Sequence, residues 1–227
     1  MTPRICVSIL PRNLIEALDL IEKAENSKAD FIEVRFDLLK EAINLSELVK
    51  STKVPLIATN KLQSENGFFS GSEIDRQRIL FAAAKNDFSY VDIDFMSPLR
   101  DETVKTLKDF HVKSIVSYHN FHQVLSVSKM EKILDEQINI GANICKIILT
   151  ANQIEDNLSV LSFVSFASIK AKIVCFCMGK HGKISRVLSP ALGGFFTFAS
   201  LDSGSETANG QMSIREMQTV YNMLGIQ

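Results

Sequence analysis

The chain has 227 residues, 46% of them hydrophobic, with 25 Lys plus Arg against 26 Asp plus Glu and a formal net charge of −1. That balance leaves no basic field to draw it to nucleic acid or to an anionic membrane, and no apolar run reaches the roughly 20 residues that span a bilayer. The length suits one α/β domain over residues 1–227, although it is short for an eightfold barrel, which typically needs about 250 residues.

Taken in order, apolar β-rich runs alternate with amphipathic stretches. Met1-Thr2-Pro3-Arg4 carries no signal-peptide cleavage site and leads into a first strand, Arg4 to Leu10, so the expectation is a cytoplasmic protein. Asn13 to Ala24 reads as a helix with Leu14, Ala17, Leu18 and Ile21 on one face. Strands follow at 29–38 and 55–59 around a short helix at 45–49, and Ser72 reads as the N-cap of a helix running to about Lys85, with Asp75 at its third position. Strands are then expected at 90–94, 113–118, 143–149, 172–177 and 194–199. Helices at 102–109, 127–139, 153–168, 181–187 and 213–224 follow them.

Eight strand–helix units in succession imply parallel strands joined by right-handed crossovers, and eight can close into a (β/α)8 TIM barrel. The competing doubly wound sheet lacks support, since no GxGxxG follows the first strand and no Walker A sequence occurs. Four cysteines, Cys6, Cys145, Cys175 and Cys177, sit in apolar strand-like runs without metal-pair spacing and read as buried free thiols.

In such a barrel, function belongs at the C-terminal ends of the strands. Lys146 interrupts the apolar run Asn143 to Leu149. A buried ammonium either loses its proton, becoming a nucleophile able to form a Schiff base, or is paired with a buried carboxylate. Both readings stand on the sequence. Glu33, Arg35 and Asp37 alternate with Ile32, Val34 and Phe36, so the charged set faces the barrel interior, as a ligand-side network or as a structural ion pair. His119 ends a strand, where proton transfer near neutral pH or a structural role both fit. Glu65 follows the third strand, Arg186 ends the seventh unit's short helix, and Gln211 follows a loop (Asp202 to Gly210) rich in Gly, Ser and Asn.

Together these residues resemble the type I 3-dehydroquinate dehydratases, along nearly the whole chain and in order. The matching segments are Glu33-Val34-Arg35-Phe36-Asp37, Ser117-Tyr118-His119, Lys146, Met178-Gly179 through Ile184-Ser185-Arg186, Thr197-Phe198 and Thr207-Ala208-Asn209-Gly210-Gln211. Two positions depart from the pattern: Lys61 stands where the family usually has Arg, and Asn209 where it has Pro. The N-terminal hairpin of some relatives is also not expected, since the first strand begins at about residue 4.

The resemblance implies a hydro-lyase of the shikimate pathway, in aromatic amino acid biosynthesis, that converts 3-dehydroquinate to 3-dehydroshikimate and water through a lysine Schiff base. It implies that Lys146 forms the imine, that His119 moves the protons and that Glu65 orients His119. Glu33, Arg35, Lys61, Arg186, Phe198, Thr207 and Gln211 would bind substrate, Arg186 taking the carboxylate and Phe198 packing on the ring, under a lid formed by the loop before Gln211. It implies no metal ion and no organic cofactor, no nucleic-acid or membrane partner, and a homodimer. The alternatives are another Schiff-base barrel such as a class I aldolase, or a non-catalytic polyol-binding barrel.

Overall fold

A computed structural model describes residues 2–226. Among them the strands are β1 (Ile5–Ile9), β2 (Phe31–Arg35), β3 (Leu56–Thr59), β4 (Tyr90–Asp94), β5 (Lys113–His119), β6 (Ile144–Thr150), β7 (Ile173–Met178) and β8 (Thr197–Ala199). The helices that follow them in turn are α1 (Leu14–Asn26), α2 (Leu45–Lys50), α3 (Glu73–Lys85), α4 (Arg100–Asp109), α5 (Val127–Asn139), α6 (Asp156–Lys170), α7 (Lys183–Leu188) and α8 (Ile214–Leu224).

All the strands are parallel, in the order β7-β6-β5-β4-β3-β2-β1-β8. Closure between the two ends begins just before β8, where the Phe195 N–H donates to the Ile173 carbonyl at 2.6 Å. The result is the (β/α)8 barrel expected from the alternation, with little exposed edge left to template association. No helix among the described residues is long and apolar enough to cross a membrane.

Period-two alternation divides each strand between two cores. Outward residues such as Val7, Val34, Val91, Val116 and Ile147 meet the helices and are fully buried. Inward residues change character along the barrel axis. The floor is apolar, built from Phe31, Ile57, Tyr90, Ile115, Ile144 and Phe196. Two residues further along five of these strands, the interior turns polar: Glu33, Thr59, Asp92, Ser117 and Lys146. The floor is an aromatic stack, with Phe31 and Phe196 centroids 4.9 Å apart and Phe31 meeting Tyr90 edge-on at 5.8 Å. Arg4 lies over Phe195 at 3.9 Å, so a cation seals the N-terminal end.

Local signals set the helix starts. Asn13 accepts from the Glu16 N–H at 2.9 Å, and Ser72–Asp75 and Ser213–Glu216 form reciprocal capping boxes. Of the elements that begin later than the sequence suggests, three have a visible local cause. The carboxylate of Asp156 accepts from the Asn152 and Gln153 N–H groups, so α6 starts at Asp156 and not at Gln153. Gly182 closes a tight turn against Cys177, and α7 starts at Lys183. Residues 190–192 form a 3-10 turn ended by Gly193 at φ 105°, which shortens β8 to three residues. All four cysteines are buried and free, Cys6 inside the barrel and the other three beneath the helices.

Phe196 is fully buried and touches three other rings. Phe196→Ala is expected to lower the unfolding free energy by about 3–5 kcal/mol, read from the urea midpoint at unchanged m-value.

Candidate active site

The strands' C-terminal ends open into a cavity of about 1150 Å³. The ten residues expected to act or bind substrate all line it: Lys146, His119 and Glu65, then Glu33, Arg35 and Lys61, and from the far wall Arg186, Phe198, Thr207 and Gln211. Strand alternation accounts for five of the first six: Lys146, His119, Glu33 and Arg35 are inward positions of β6, β5 and β2, and Lys61 lies one step beyond the last inward position of β3, whereas Glu65 comes from the 3-10 turn Gln63–Glu65.

Lys146 projects from the middle of β6 with its Nζ 2.9 Å from Asp92 Oδ2, 3.8 Å from Glu33 Oε1 and 4.3 Å from the centre of the Phe198 ring. It is therefore paired with a buried carboxylate, the second of the two readings its sequence position allowed. The other Asp92 oxygen is used as well. Oδ1 accepts from Lys61 Nζ at 3.0 Å and from Ser117 Oγ at 2.7 Å, and Lys61 also reaches Ser117 at 2.9 Å. Burial raises the cost of ionising Asp92, but the ammonium groups of Lys146 and Lys61 outweigh it and hold the carboxyl far below its ordinary range. Burial likewise opposes the charge on Lys61. The carboxylates of Asp92, Asp94 and Glu65 more than offset it, so its ammonium is held above the usual lysine range. Glu33 accepts from Ser8 Oγ and, at 2.9 Å, from Thr59 Oγ1. Every carboxylate oxygen at the centre of this network thus has a donor.

Arg35 forms a bidentate pair with Asp37 at 2.6 and 2.7 Å. Asp37 also accepts from the Phe68 N–H at 3.1 Å, which ties the loop after β3 to the end of β2.

His119 is half-buried at the end of β5 and stacks on Phe121, the planes 9° apart. Burial, then the nearby charges of Lys61 and Lys146, push its imidazole well below the ordinary histidine range, so it is neutral at pH 7. Glu65 was expected to orient His119. Instead it is held by Arg76 of α3, whose Nη1 donates to both carboxylate oxygens at 2.9 and 3.1 Å, and it lies 3.8 Å from Lys61. No hydrogen bond joins Glu65 to His119 among the described residues. The reason is competition: a buried, charged guanidinium nitrogen set between both carboxylate oxygens is a stronger donor than a neutral ring N–H.

Arg186, at the opposite wall, is 1% exposed and lies 4.4 Å from the Phe176 ring centre. One nitrogen donates to the Phe198 carbonyl at 3.2 Å, while Nε and Nη2 have no partner. Burial without a counter-charge pushes the guanidinium down to about 10. A buried, unneutralised fork beside a cavity is suited to an anionic ligand, above all a planar carboxylate. Above it, Gln211 accepts from the Thr207 N–H at 2.7 Å. The same loop rests on the β7–α7 turn: the Gly179 N–H donates to the Asn209 carbonyl at 3.0 Å. Gly210, at φ 75°, packs so closely that a Cβ there would come within 2.2 Å of the Gly179 oxygen.

Three contributors were not singled out in the sequence, Asp92, Asp94 and Arg76, and Ser117 was marked only as part of the segment Ser117-Tyr118-His119. For Asp92 a signal was present, since Tyr90-Val91-Asp92-Ile93-Asp94 places an acid on the inward face of an apolar strand, as in β2. Arg76 gave none, because an arginine on a helix is ordinarily a solvated residue.

Two stability measurements follow from these environments. Arg186→Met removes a buried guanidinium with two unpartnered nitrogens, so it is expected to raise the unfolding free energy by about 1–2 kcal/mol in urea. For His119, the depressed folded value means that, below about pH 6.5, the unfolded chain takes up a proton that the folded chain refuses. Stability is present above that pH and falls below it, by up to about 1.4 kcal/mol per pH unit, until the folded imidazole titrates. Urea midpoints of His119→Gln are expected to fall less between pH 7.5 and 5.5 than those of the native chain.

Known proteins resemble this chain along nearly its whole length. The family model described as type I 3-dehydroquinase matches residues 5–227. A 3-dehydroquinate dehydratase of Dehalococcoides mccartyi strain 195 is 35% identical over 225 residues, covering 99% of this chain and 97% of that protein. One from Pyrococcus abyssi is 31% identical over 97% of this chain and 98% of its own length. Among solved structures, the type I 3-dehydroquinate dehydratase of Clostridium difficile, bearing covalently modified comenic acid, superposes with a TM-score of 0.90 at 24% identity. That match covers 98% of this chain and 92% of that one, and it shows a shared fold. By the family match and the extent of identity to the Dehalococcoides protein, this chain belongs to the type I 3-dehydroquinase family.

Proposed function

We propose that this chain dehydrates 3-dehydroquinate to 3-dehydroshikimate and water through a Schiff base on Lys146. The observation that carries the proposal is Lys146 itself. It is a strand lysine that lines the cavity, paired with the Asp92 carboxylate, in a site whose histidine is neutral. Lys146, having released one proton, adds to the ketone and expels its oxygen as water, leaving a protonated imine. The iminium draws electrons from the adjacent carbon, His119 takes the proton from that carbon, and an enamine results. His119 then returns the proton to the departing hydroxyl, which leaves as water. Hydrolysis of the imine frees Lys146 and restores the ketone oxygen, so the net change is the loss of one water. The sink is the lysine's own imine, and this route requires no metal ion or organic cofactor.

The substrate carboxylate is assigned to Arg186, whose two free nitrogens supply the donors, with Gln211 and Thr207 closing over it. Glu33, Arg35 and Lys61 face the hydroxyls, and Phe198 packs on the ring. Glu65 acts through its charge on Lys61 in the geometry described, not through a hydrogen bond to His119. A step in aromatic amino acid biosynthesis places the work in the cytoplasm.

A homodimer is supported by the outer face of α6. Leu158, Phe166 and Ile169 are 69%, 47% and 84% exposed and fall within about 80° of one another around the helix. Phe166→Glu is expected to lower the apparent mass in analytical ultracentrifugation from that of two chains to that of one; a native chain that sediments as a monomer would remove the idea.

The catalytic proposal is tested by mixing the protein with 3-dehydroquinate, reducing with borohydride and mapping the modified peptide. A stable adduct on Lys146, with turnover abolished in Lys146→Ala, is expected. Folded native protein that gives neither adduct nor product would refute it. Arg186→Met is expected to raise KM by about 10- to 100-fold, the range for removing one charged partner of a carboxylate.

A further inference from the structure

The cavity holds two lysines on one carboxylate. Asp92 sits deep in the barrel, its Oδ2 2.9 Å from Lys146 and its Oδ1 3.0 Å from Lys61. Lys61 also donates to Ser117 Oγ, which in turn donates to the same Asp92 oxygen at 2.7 Å. The three donors fix the plane of the carboxylate and leave Oδ2 facing Lys146 alone. Lys61 is itself 6% exposed and is backed by Glu65 at 3.8 Å and Asp94 at 4.0 Å. Nothing about holding a substrate hydroxyl requires a second ammonium to be sunk this deep against an aspartate.

We propose that Lys61 is a positioning residue for the dehydration. It clamps Asp92 by the oxygen that Lys146 does not use, and it neutralises that carboxylate when Lys146 gives up its proton. The inference rests on the Schiff-base reading above and deepens it. Attack on the ketone needs the free amine, so one proton must leave the Lys146 ammonium for solvent. Were Asp92 paired with Lys146 alone, that loss would strand a bare carboxylate in a closed barrel, a state that costs several kcal/mol in proteins generally. With Lys61 in place, one positive and one negative charge remain side by side. When the iminium forms, its positive charge returns beside the same Asp92 oxygen, which has kept its place.

The charged and titratable groups around Lys146 come from each element packed on it: Cys6 on β1, Glu33 and Arg35 on β2, Lys61 beyond β3, Asp92 on β4 and His119 on β5, with the Phe198 ring from β8. Among these, Lys61 is the cation that shares Lys146's own carboxylate. Removing its charge leaves Asp92 to hold the Lys146 proton more tightly.

The test needs no substrate. The pH dependence of Lys146 labelling by trace acetic anhydride, read by peptide mass spectrometry, is compared in the native chain, Lys61→Met and Lys61→Arg. In Lys61→Met the pH at which Lys146 becomes reactive is expected to move upward by about one unit, the effect of losing one nearby charge. In Lys61→Arg it stays near the native value. The acid limb of kcat for dehydroquinate should move in the same direction, whereas a residue that only held substrate would raise KM and leave the limb in place. An unmoved labelling profile in Lys61→Met overturns the proposal. Should that variant fail to fold, Lys61→Gln, which still donates to Asp92, carries the same comparison. If the native chain fails to convert dehydroquinate, the functional reading falls while the labelling still reports on Lys61.

Discussion

The structure turns on charge balance around one carboxylate. Asp92 lies in a barrel interior where an isolated ion would be unsupportable, and it is kept ionised by Lys146 on one oxygen and Lys61 and Ser117 on the other. Those donors come from β6, from the residue chain beyond β3, and from β5, while Asp92 itself belongs to β4. Four consecutive units of the barrel are therefore joined through a single acid. Remove the acid and two ammonium groups face each other without a counter-charge; remove one ammonium and the other is bound too tightly to react. The same contacts that make the interior tolerable also set the chemistry of the site.

This constraint explains the layering of the barrel. A polar layer needs an apolar one beneath it, both to exclude water from the network and to give the strands a packed interior. Phe31, Tyr90 and Phe196 supply that floor, and Phe198 carries the apolar surface up one side to meet Lys146. Arg186 stands apart from the acid network, with Phe176 and not a carboxylate against it. The cavity is thus divided between a neutralised half, in which Asp92 and Glu33 answer the two lysines, and an open cationic half that awaits an anion. That division sets a single unpaired guanidinium on one side of the cavity and a fully paired polar network on the other.

Much of this was legible in the residues. Alternation located all eight strands within a few positions, and the polar interruptions at Glu33, Arg35, His119 and Lys146 identified the inward face because apolar strands rarely carry charge. What the sequence withheld was pairing. Lys146 alone cannot declare whether it is bare or neutralised, because its partner lies 54 residues away on another strand. Glu65 looked free to serve His119 because Arg76, eleven residues on, is indistinguishable in sequence from any solvated helix arginine. Late helix starts, such as α6 at Asp156, were missed where a side chain caps loop N–H groups in a pattern that composition does not reveal.

The contact between Gly210 and Gly179 ties the cavity's roof to its wall. The Asp202–Gly210 loop leans on the β7–α7 turn through the Asn209 carbonyl. The same turn is pinned from the other side, where Ser185 Oγ accepts from the Cys177 N–H and the Asn157 amide donates to the His181 carbonyl. Arg186 follows directly on that pinned turn. The ceiling height is consequently set by the missing side chain of one glycine, and the strap that would admit a ligand is seated on the segment that presents the guanidinium. Admission and anchoring share a single bearing surface, so a ligand that pulls on Arg186 also draws on the seat of the loop above it.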